Sequence, residues 1–242
     1  MSRITAVIFD MYDTLVQNEQ HFWQATFEEI VREQDLDTTA DRLWAEWRTV
    51  EREFRHSRIK PGVAFKSYYQ AWRESFDHAF TVLQLKGDAV AAAHQAVQDI
   101  SRRPPFPETL EALGRIQPRW QTGILSNADD DFLHPNVARL GLQFAAVVSS
   151  EAAGCYKPQP GLFREMLSRL GVSPQEAVYV GDRQFEDVTG ASQVGMRAVW
   201  VNRLAAPLDP SLSAPDYQIS NLLELPALLD RSVTEERGVQ RG

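Results

Sequence analysis

Short apolar runs that each end on a polar residue constrain the fold of this chain more than any other sequence feature. The runs cover residues 6–9, 122–125, 145–148, 177–180 and 198–201. Runs of this length, rich in valine, isoleucine and alanine, are typical of strands buried on both faces of a sheet. Helix-length stretches separate the last four runs, at residues 131–140, 161–170 and 185–194. The alternation predicts an α/β fold with a Rossmann-like, doubly wound parallel sheet.

A long segment between the first two runs carries helical periodicity instead. Apolar residues recur there at spacings of three and four, as in Leu43, Trp47, Val50 and Phe54, which predicts amphipathic helices. The predicted helices cover residues 19–34, 40–58, 63–85 and 88–100. The resulting domain prediction is a sheet domain of residues 1–15 and 104–230, an inserted helical cap of residues 16–103 and a frayed tail of residues 231–242.

Charge and cysteine content exclude several classes of protein. The 242 residues carry a formal net charge of −8, which argues against a sequence-independent nucleic-acid binder, since such proteins need lysine and arginine against phosphates. The single cysteine, Cys155, cannot form an intramolecular disulfide. No apolar run reaches transmembrane length, and because a charged residue comes so early in residues 1–10, no signal peptide is expected there. We therefore predict a cytoplasmic protein without membrane or nucleic-acid partners, monomeric or homodimeric.

Acidic residues cluster after two of the predicted strands. Asp10 and Asp13 follow the first run, and Asp182 and Asp187 follow the fourth. Because the carboxyl ends of parallel strands share one edge of a sheet, these side chains are expected to converge. Carboxylates held close together require a proton or a cation between them, and a hard dication is one solution. Roles as turn or helix caps remain an alternative for each residue.

Two further polar groups follow the second and third runs. Ser126 and Asn127 could hold the oxygens of an anion, although Ser-Asn is also a common helix start. Lys157 could offset nearby carboxylates and stabilise an anionic intermediate, and a solvated surface lysine is the alternative. Each of these alternatives explains one group on its own. They do not explain why the polar groups follow the predicted strands one after another in this order.

Taken together, the motifs resemble those of the haloacid dehalogenase-like hydrolase superfamily. The resemblance rests on Phe-Asp10-Met-Tyr-Asp13-Thr14-Leu15, Leu125-Ser126-Asn127, Lys157-Pro158 and Val180-Gly181-Asp182-Arg-Gln-Phe-Glu186-Asp187. The helical insert resembles the α-helical cap of one large branch of that superfamily. Glu186 departs from the pattern, since many relatives carry asparagine or another residue there. Its side chain is expected either to face solvent or to lie near the metal without binding it.

The resemblance implies a nucleophile, an acid–base group and a metal site. Asp10 is implied to attack phosphorus and to form an aspartyl-phosphate. Asp13 is implied to protonate the leaving group and then to activate water. Asp10, the main-chain carbonyl of Asp13 and Asp182 are implied to bind Mg²⁺, which takes carboxylates sparingly and keeps its waters.

The resemblance also implies how the phosphoryl group is held. Ser126, Asn127 and Lys157 are implied to bind the transferred phosphoryl oxygens, and Lys157 is counted among the catalytic residues. Asp187 is implied to order the metal surroundings or to orient Lys157. Thr14, like Asp187, is implied to lie around the metal site without binding the metal directly.

These roles favour a Mg²⁺-dependent phosphomonoester hydrolase acting on a small phosphorylated metabolite. The alternatives are a metal-independent 2-haloacid dehalogenase and a non-catalytic binding protein on the same scaffold. Tyr12 and the sequence from Cys155 to Pro158 echo the dehalogenases. Those enzymes need neither a metal nor an acid for halide departure, and they lack the carboxylates found here at Asp13 and Asp182. The prediction therefore rests on the acidic residues, while the identity of the ester is left open.

Overall fold

A computed structural model describes residues 3–230 of the chain. The strands are β1 (Ala6–Phe9), β2 (Gln121–Ser126), β3 (Ala146–Ser149), β4 (Ala177–Gly181), β5 (Arg197–Val201) and β6 (Tyr217–Ile219). They form one parallel sheet in the order β3-β2-β1-β4-β5-β6. This confirms the predicted α/β, Rossmann-like fold. The predicted tail of residues 231–242 lies outside the described residues.

Residues 225–230, after β6, are helical. The numbered helices fall between the strands and in the insert after β1. They are α1 (Gln20–Glu33), α2 (Ala40–Ser57), α3 (Tyr68–Val82), α4 (Ala89–Ile100), α5 (Thr109–Ile116), α6 (Asp130–Arg139), α7 (Ser150–Ala153), α8 (Pro160–Leu170) and α9 (Gly190–Gln193). A π-helical turn (Gln184–Thr189) precedes α9, and two 3₁₀ turns cover Pro174–Glu176 and Leu222–Glu224. None of the helices within residues 3–230 is both long enough and apolar enough to cross a membrane.

The chain divides into two compact units. The described part of the sheet unit contains residues 3–17, 104–127 and 140–230, and the helical unit contains residues 18–103 and 128–139. This division differs from the domain prediction in two places: residues 16–17 were expected in the cap and lie in the sheet unit, and residues 128–139 were expected in the sheet domain and lie in the helical unit. Helix α6 lies in that segment and packs with α4.

Helix α6 is attached to the helical unit at both of its ends. The carboxylate of Asp129 accepts hydrogen bonds from the main-chain N–H groups of Tyr68 and Tyr69 at 2.9 and 2.8 Å. The side-chain amide of Asn136 donates to the carbonyl of Ile100 at 2.7 Å. These contacts join residues far apart in the sequence, so no local sequence pattern around α6 predicts them.

In the sheet unit, α8 covers part of one face of the sheet. Leu162, Phe163 and Met166 of this helix are fully buried and pack in one apolar cluster with Ile8 and Leu125 of the central strands. Burial of such side chains is the main favourable contribution to folding.

In the helical unit, tryptophan and phenylalanine rings fill the space between helices. Trp72 lies 5.3 Å from Trp23 and 6.4 Å from Trp47 between ring centroids, and it stacks on Phe132 at 5.4 Å. Trp47 and Trp72 are buried. Aromatic pairs at these separations contribute packing beyond the area that they bury.

Helix α3 begins five residues later than the periodicity predicts, at Tyr68 instead of Val63. Ser67 forms a capping box with Gln70, in which each side chain bonds the main chain of the other residue. Such a box supplies partners for the N–H groups at a helix start. The cap therefore sets the start of the helix, although apolar residues with helical spacing precede it.

Candidate active site

Three neighbouring strands end side by side, and this places their following residues at one edge of the sheet. Phe9, the last residue of β1, pairs with Ile124 of β2 and with Val180 of β4. The next residue, Asp10, continues the ladder, because its main-chain N–H donates to the Val180 carbonyl at 2.9 Å. The polar residues after these strands therefore share a small volume within the sheet unit.

Asp10 is buried, and one of its carboxylate oxygens is held by two donors. Oδ1 accepts a hydrogen bond from the Ser126 hydroxyl at 2.8 Å. The same atom lies 2.8 Å from the Lys157 Nζ. Two donors on one oxygen fix the carboxylate plane and polarise the group.

Lys157 connects two of the carboxylates. Its Nζ lies 2.7 Å from Oδ1 of Asp187 and 3.0 Å from the Tyr179 hydroxyl, in addition to its contact with Asp10. Burial alone would lower the pKa of this amine, but the negative charges of Asp10 and Asp187 outweigh burial and raise the pKa well above its ordinary value. Lys157 therefore carries a positive charge in a nearly dry environment, where it acts strongly on neighbouring charge.

Asp187 is held in the π-helical turn that follows β4. Its second carboxylate oxygen accepts the main-chain N–H of Arg183 at 2.9 Å. A Cβ atom at position 181 would lie 2.4 Å from the Asp187 carboxyl group, so only glycine leaves room for it. Burial raises the pKa of Asp187 to about 6, although the charge of Lys157 opposes this rise.

The site holds more negative than positive charge. Single oxygens of Asp10, Asp182 and Asp187 all lie within 4.8 Å of one another. Burial, followed by the charges of Asp187, Asp10 and Asp13, raises the pKa of Asp182 well above its ordinary value. Three carboxylates at this spacing, with one lysine among them, fit a hard dication such as Mg²⁺.

Asn127 joins the second strand end to the lysine loop. Its Oδ1 accepts the main-chain N–H of Lys157 at 2.8 Å, and its Nδ2 donates to the Lys157 carbonyl at 3.3 Å. The side chain is half-buried. In the structure Asn127 thus sets the position of Lys157 through the main chain.

The remaining predicted residues surround this cluster. The Thr14 hydroxyl donates to Oδ1 of Asp182 at a long 3.4 Å. Asp13 has a positive φ of 61°, and its charge acts on Asp182. Glu186 lies 3.7 Å from the guanidinium Nε of Arg183. The structure therefore brings Asp10, Ser126, Lys157, Asp182 and Asp187 into one cluster, with Thr14 bonded to its edge.

Two residues of the site were not anticipated from the sequence. The Tyr179 hydroxyl accepts a bond from Lys157 and donates to the Leu125 carbonyl at 2.8 Å. The indole N–H of Trp200 donates to the main-chain carbonyl of Asp182 at 2.8 Å. Both lie inside apolar runs that predict strands. A buried tyrosine or tryptophan usually finds a polar partner for its hydroxyl or N–H, but no sequence pattern shows that the partners of these two residues belong to the site.

Comparison with known proteins gives a family and a set of full-length relatives. A family model of haloacid dehalogenase-like hydrolases matches residues 4–195. An (S)-2-haloacid dehalogenase from Pseudomonas sp. is 28% identical over 237 residues, which cover 96% of this chain and 99% of that protein. The phosphoserine phosphatase of Thermus thermophilus is 39% identical, but over 127 residues that cover only 51% of each chain.

Solved structures give the same result. The L-2-haloacid dehalogenase of Xanthobacter autotrophicus, solved with chloropropionic acid covalently bound, has a TM-score of 0.75 and is 27% identical to this chain. That match covers 94% of this chain and 98% of the other. The similarity therefore includes the helical unit as well as the sheet.

These comparisons overturn the prediction of a Mg²⁺-dependent phosphomonoester hydrolase. Three (S)-2-haloacid dehalogenases that align along nearly the whole chain, at 27–29% identity, favour the stated alternative instead, although a glyceraldehyde 3-phosphate phosphatase of Pyrococcus furiosus, 25% identical, also covers 95% of this chain. The physical reason is that a carboxylate held by serine and lysine can attack carbon as well as phosphorus, so the arrangement of Asp10, Ser126 and Lys157 does not decide the leaving group. With a family model matched over residues 4–195, the chain belongs to the haloacid dehalogenase-like hydrolases.

Proposed function

We propose that this protein is a 2-haloacid dehalogenase that displaces halide with the Asp10 carboxylate. The observation that carries the proposal is the full-length similarity to (S)-2-haloacid dehalogenases, with 96% of this chain aligned. The related enzyme with a covalently bound chloropropionic acid supports a covalent route for this chain. The buried Asp10 carboxylate is built for that route, because two donors hold one oxygen and orient the group.

In the first step, an Asp10 oxygen attacks C2 of the haloacid. The new C–O bond forms as the carbon–halogen bond breaks, and halide departs with the bonding electron pair. Halide is a weak base, so its departure requires no proton. Ser126 and Lys157 keep the carboxylate oriented during this attack through their bonds to Oδ1.

In the second step, water hydrolyses the Asp10 ester. Water adds to the carboxyl carbon of Asp10, the bond from that carbon to the substrate oxygen breaks, and that oxygen takes up a proton as the 2-hydroxy acid leaves. The water proton passes to a base, for which Asp187 is our candidate, since an oxygen of Asp187 lies within 4.8 Å of one of Asp10. Lys157, bonded to Asp10, would stabilise the negative charge that develops on the carboxyl oxygen.

Mg²⁺ stays a prediction. The carboxylates of Asp10, Asp182 and Asp187 fit a dication, which would offset their mutual repulsion when bound. The displacement of halide by Asp10 does not need it. We therefore expect dehalogenation to persist after treatment with a chelator. The cytoplasmic location, the absence of nucleic-acid and membrane partners and the monomeric or homodimeric state also remain predictions.

The test is halide release from both enantiomers of 2-chloropropionate and 2-bromopropionate, with and without EDTA. We expect release from the wild type in both conditions and none from Asp10→Asn. Asp77→Asn, which changes an exposed aspartate of α3, is the matched control and should keep full activity. Phosphate release from aryl phosphates that requires Mg²⁺ and Asp10, without any halide release, would contradict the proposal.

The covalent step has its own test in a single turnover with enzyme in excess, in water enriched in ¹⁸O. Hydrolysis of an Asp10 ester places the label in the Asp10 carboxylate, because water attacks the carboxyl carbon. Mass spectrometry of the peptide that contains Asp10 should therefore show the label, while the first hydroxy acid released should lack it. Label in the product of the first turnover would show direct attack by water and would overturn the covalent route.

A further inference from the structure

The loop that follows the nucleophile is tightly bonded and strained. Asp13 has a φ of 61°, a positive value that residues other than glycine adopt only occasionally. Its main-chain N–H donates to the Val16 carbonyl at 2.8 Å. The N–H groups of Leu15 and Val16 both donate to the Met11 carbonyl, at 2.9 and 3.0 Å. The carbonyls of residues 14 and 15 bond to other parts of the chain.

Arg203 supplies the bond to the Thr14 carbonyl. It comes shortly after β5, and its Nη2 donates to that carbonyl at 3.0 Å. Nη1 of the same guanidinium pairs with the buried carboxylate of Glu108. The guanidinium carbon lies 3.7 Å from the centroid of the Phe106 ring. The Thr14 carbonyl, the Glu108 carboxylate and the Phe106 ring thus hold the Arg203 guanidinium in place. Because this group is planar and rigid, its bond to the Thr14 carbonyl also restricts the loop.

We propose that Arg203 is a positioning residue that keeps the loop after Asp10 in its catalytic shape through the Thr14 carbonyl. The inference rests on the proposed function for its kinetic readout. A strained backbone persists only where its surroundings over-determine it. On this loop the surroundings include Arg203 and the Thr109 hydroxyl, which donates to the Leu15 carbonyl at 2.7 Å.

A second residue close to Arg203 in the chain bonds the main chain of the loop after β4, which carries Asp182 and Asp187. Trp200, which lies in β5, donates its indole N–H to the main-chain carbonyl of Asp182 at 2.8 Å. Asp182 in turn accepts the Thr14 hydroxyl. The segment from Trp200 to Arg203 therefore bonds the main chain of both loops that carry the site, and neither residue is among the acidic or phosphate-binding motifs.

The test separates the bond to Thr14 from the ion pair with Glu108. Arg203→Met removes both, whereas Glu108→Gln removes the charge of the pair and leaves an amide oxygen that can still accept. We expect Arg203→Met to lower kcat for halide release by about 10²-fold, with little change in KM, because small displacements of reacting groups cost this much. Glu108→Gln should keep kcat within a few-fold of the wild type.

Hydrogen exchange of the main chain gives a readout that does not depend on turnover. We expect Arg203→Met to accelerate exchange in residues 10–17 while the strands keep their protection, and Glu108→Gln to leave that segment unchanged. If Arg203→Met does not fold, Arg203→Lys replaces it, since an ammonium lacks the fork that spans both partners. Equal loss of thermal stability in both variants, with unchanged kcat and unchanged exchange in residues 10–17, would overturn the proposal.

Failure of the proposed function is distinguishable from failure of this inference. If the wild type releases no halide, the dehalogenase proposal is wrong. Exchange in residues 10–17 then decides the role of Arg203 without any substrate. If the wild type releases halide and Arg203→Met matches it in both kcat and exchange, only the positioning role is wrong.

Discussion

The sheet unit is organised around buried charges, whereas the helical unit is organised around aromatic rings. In the sheet unit, Lys157 bonds two carboxylates and a tyrosine hydroxyl, and the buried positive charge of the lysine is compensated by the carboxylates of Asp10 and Asp187. In the helical unit, Trp72 touches several rings, and no single contact determines its place. A buried charge needs a defined number of partners in a defined geometry. A buried ring is instead held by many weak contacts with all of its neighbours.

The difference has a consequence for how each region responds to substitution. Loss of one charge leaves its partners buried and uncompensated, which affects chemistry and stability together. Loss of one ring leaves a cavity, whose cost depends on how well the surroundings collapse. The following substitutions test whether the two units differ in this way, in order of decreasing expected effect.

Lys157→Met should have the largest effect. It leaves the carboxylates of Asp10 and Asp187 buried without their cation, which we expect to cost about 3–5 kcal/mol of unfolding free energy. Halide release should be abolished as well, because Asp10 loses one of its two orienting donors. Urea unfolding and turnover measure the two effects.

The matched control for this change is Arg169→Met, which removes an exposed ion pair with Glu165 in the same unit. Exposed pairs contribute about 0–1 kcal/mol, so this variant should retain stability and activity. A Lys157→Met variant as stable as the Arg169→Met control would show that the charge cluster contributes nothing to the fold.

Trp72→Ala should destabilise the protein by about 3–5 kcal/mol, through the lost burial and the cavity left among the rings. Trp44→Ala is the comparison, since Trp44 is only half-buried and should cost clearly less. Thermal or urea unfolding of the two variants measures the difference. Equal losses would mean that ring packing in the helical unit does not depend on burial.

Gly181→Ala should interfere with the site through its geometry. The added methyl group would meet the Asp187 carboxyl group at 2.4 Å, so Asp187 must shift from the position in which it bonds Lys157. Overpacking of this kind costs about 1–3 kcal/mol, and we expect turnover to fall more than stability.

Gly114→Ala is the control for that change, because a Cβ at position 114 has nothing within 4 Å. Gly114 lies in the interior of α5, where alanine is favoured over glycine by about 0.5–1 kcal/mol. This variant should be slightly more stable than the wild type, with unchanged turnover. Unchanged turnover in Gly181→Ala would contradict the packing argument.

Asp129→Asn should have the smallest effect. The carboxylate accepts two main-chain N–H groups at the start of α3, and an amide offers one acceptor and loses the charge. Replacing a capping group of this kind costs about 0.5–2 kcal/mol. Asp131→Asn, at an exposed position of α6, should cost nothing measurable in the same unfolding assay.

The sheet could be predicted from the sequence because its information is local. Each strand is a short apolar run that ends on a polar residue, and the carboxyl ends of parallel strands meet at one edge. The candidate site followed from the same rule, which brought Asp10, Ser126 and Asp182 together. The start of α3 was misplaced because the capping box at Ser67 outweighs the apolar spacing before it.

What could not be predicted depends on tertiary contacts. Helix α6 looks like any helix between two strands, and its place in the helical unit is set by Asp129, Phe132 and Asn136 reaching distant partners. Arg203 has no motif around it, and only its contact with the Thr14 carbonyl reveals it. The function was predicted wrongly because the nucleophile Asp10, held by Ser126 and Lys157, fits more than one leaving group, and the leaving group is a property of the substrate.

The assignment of residues 128–139 to the helical unit has a consequence for protein engineering. Exchange of the inserted segment between relatives would ordinarily treat residues 18–103 as one transferable module. Here such a chimera would leave α6 behind with the wrong partners, and the donor's helices would meet a foreign Phe132 and Asn136. A functional chimera must therefore exchange two segments together, residues 18–103 and residues 128–139.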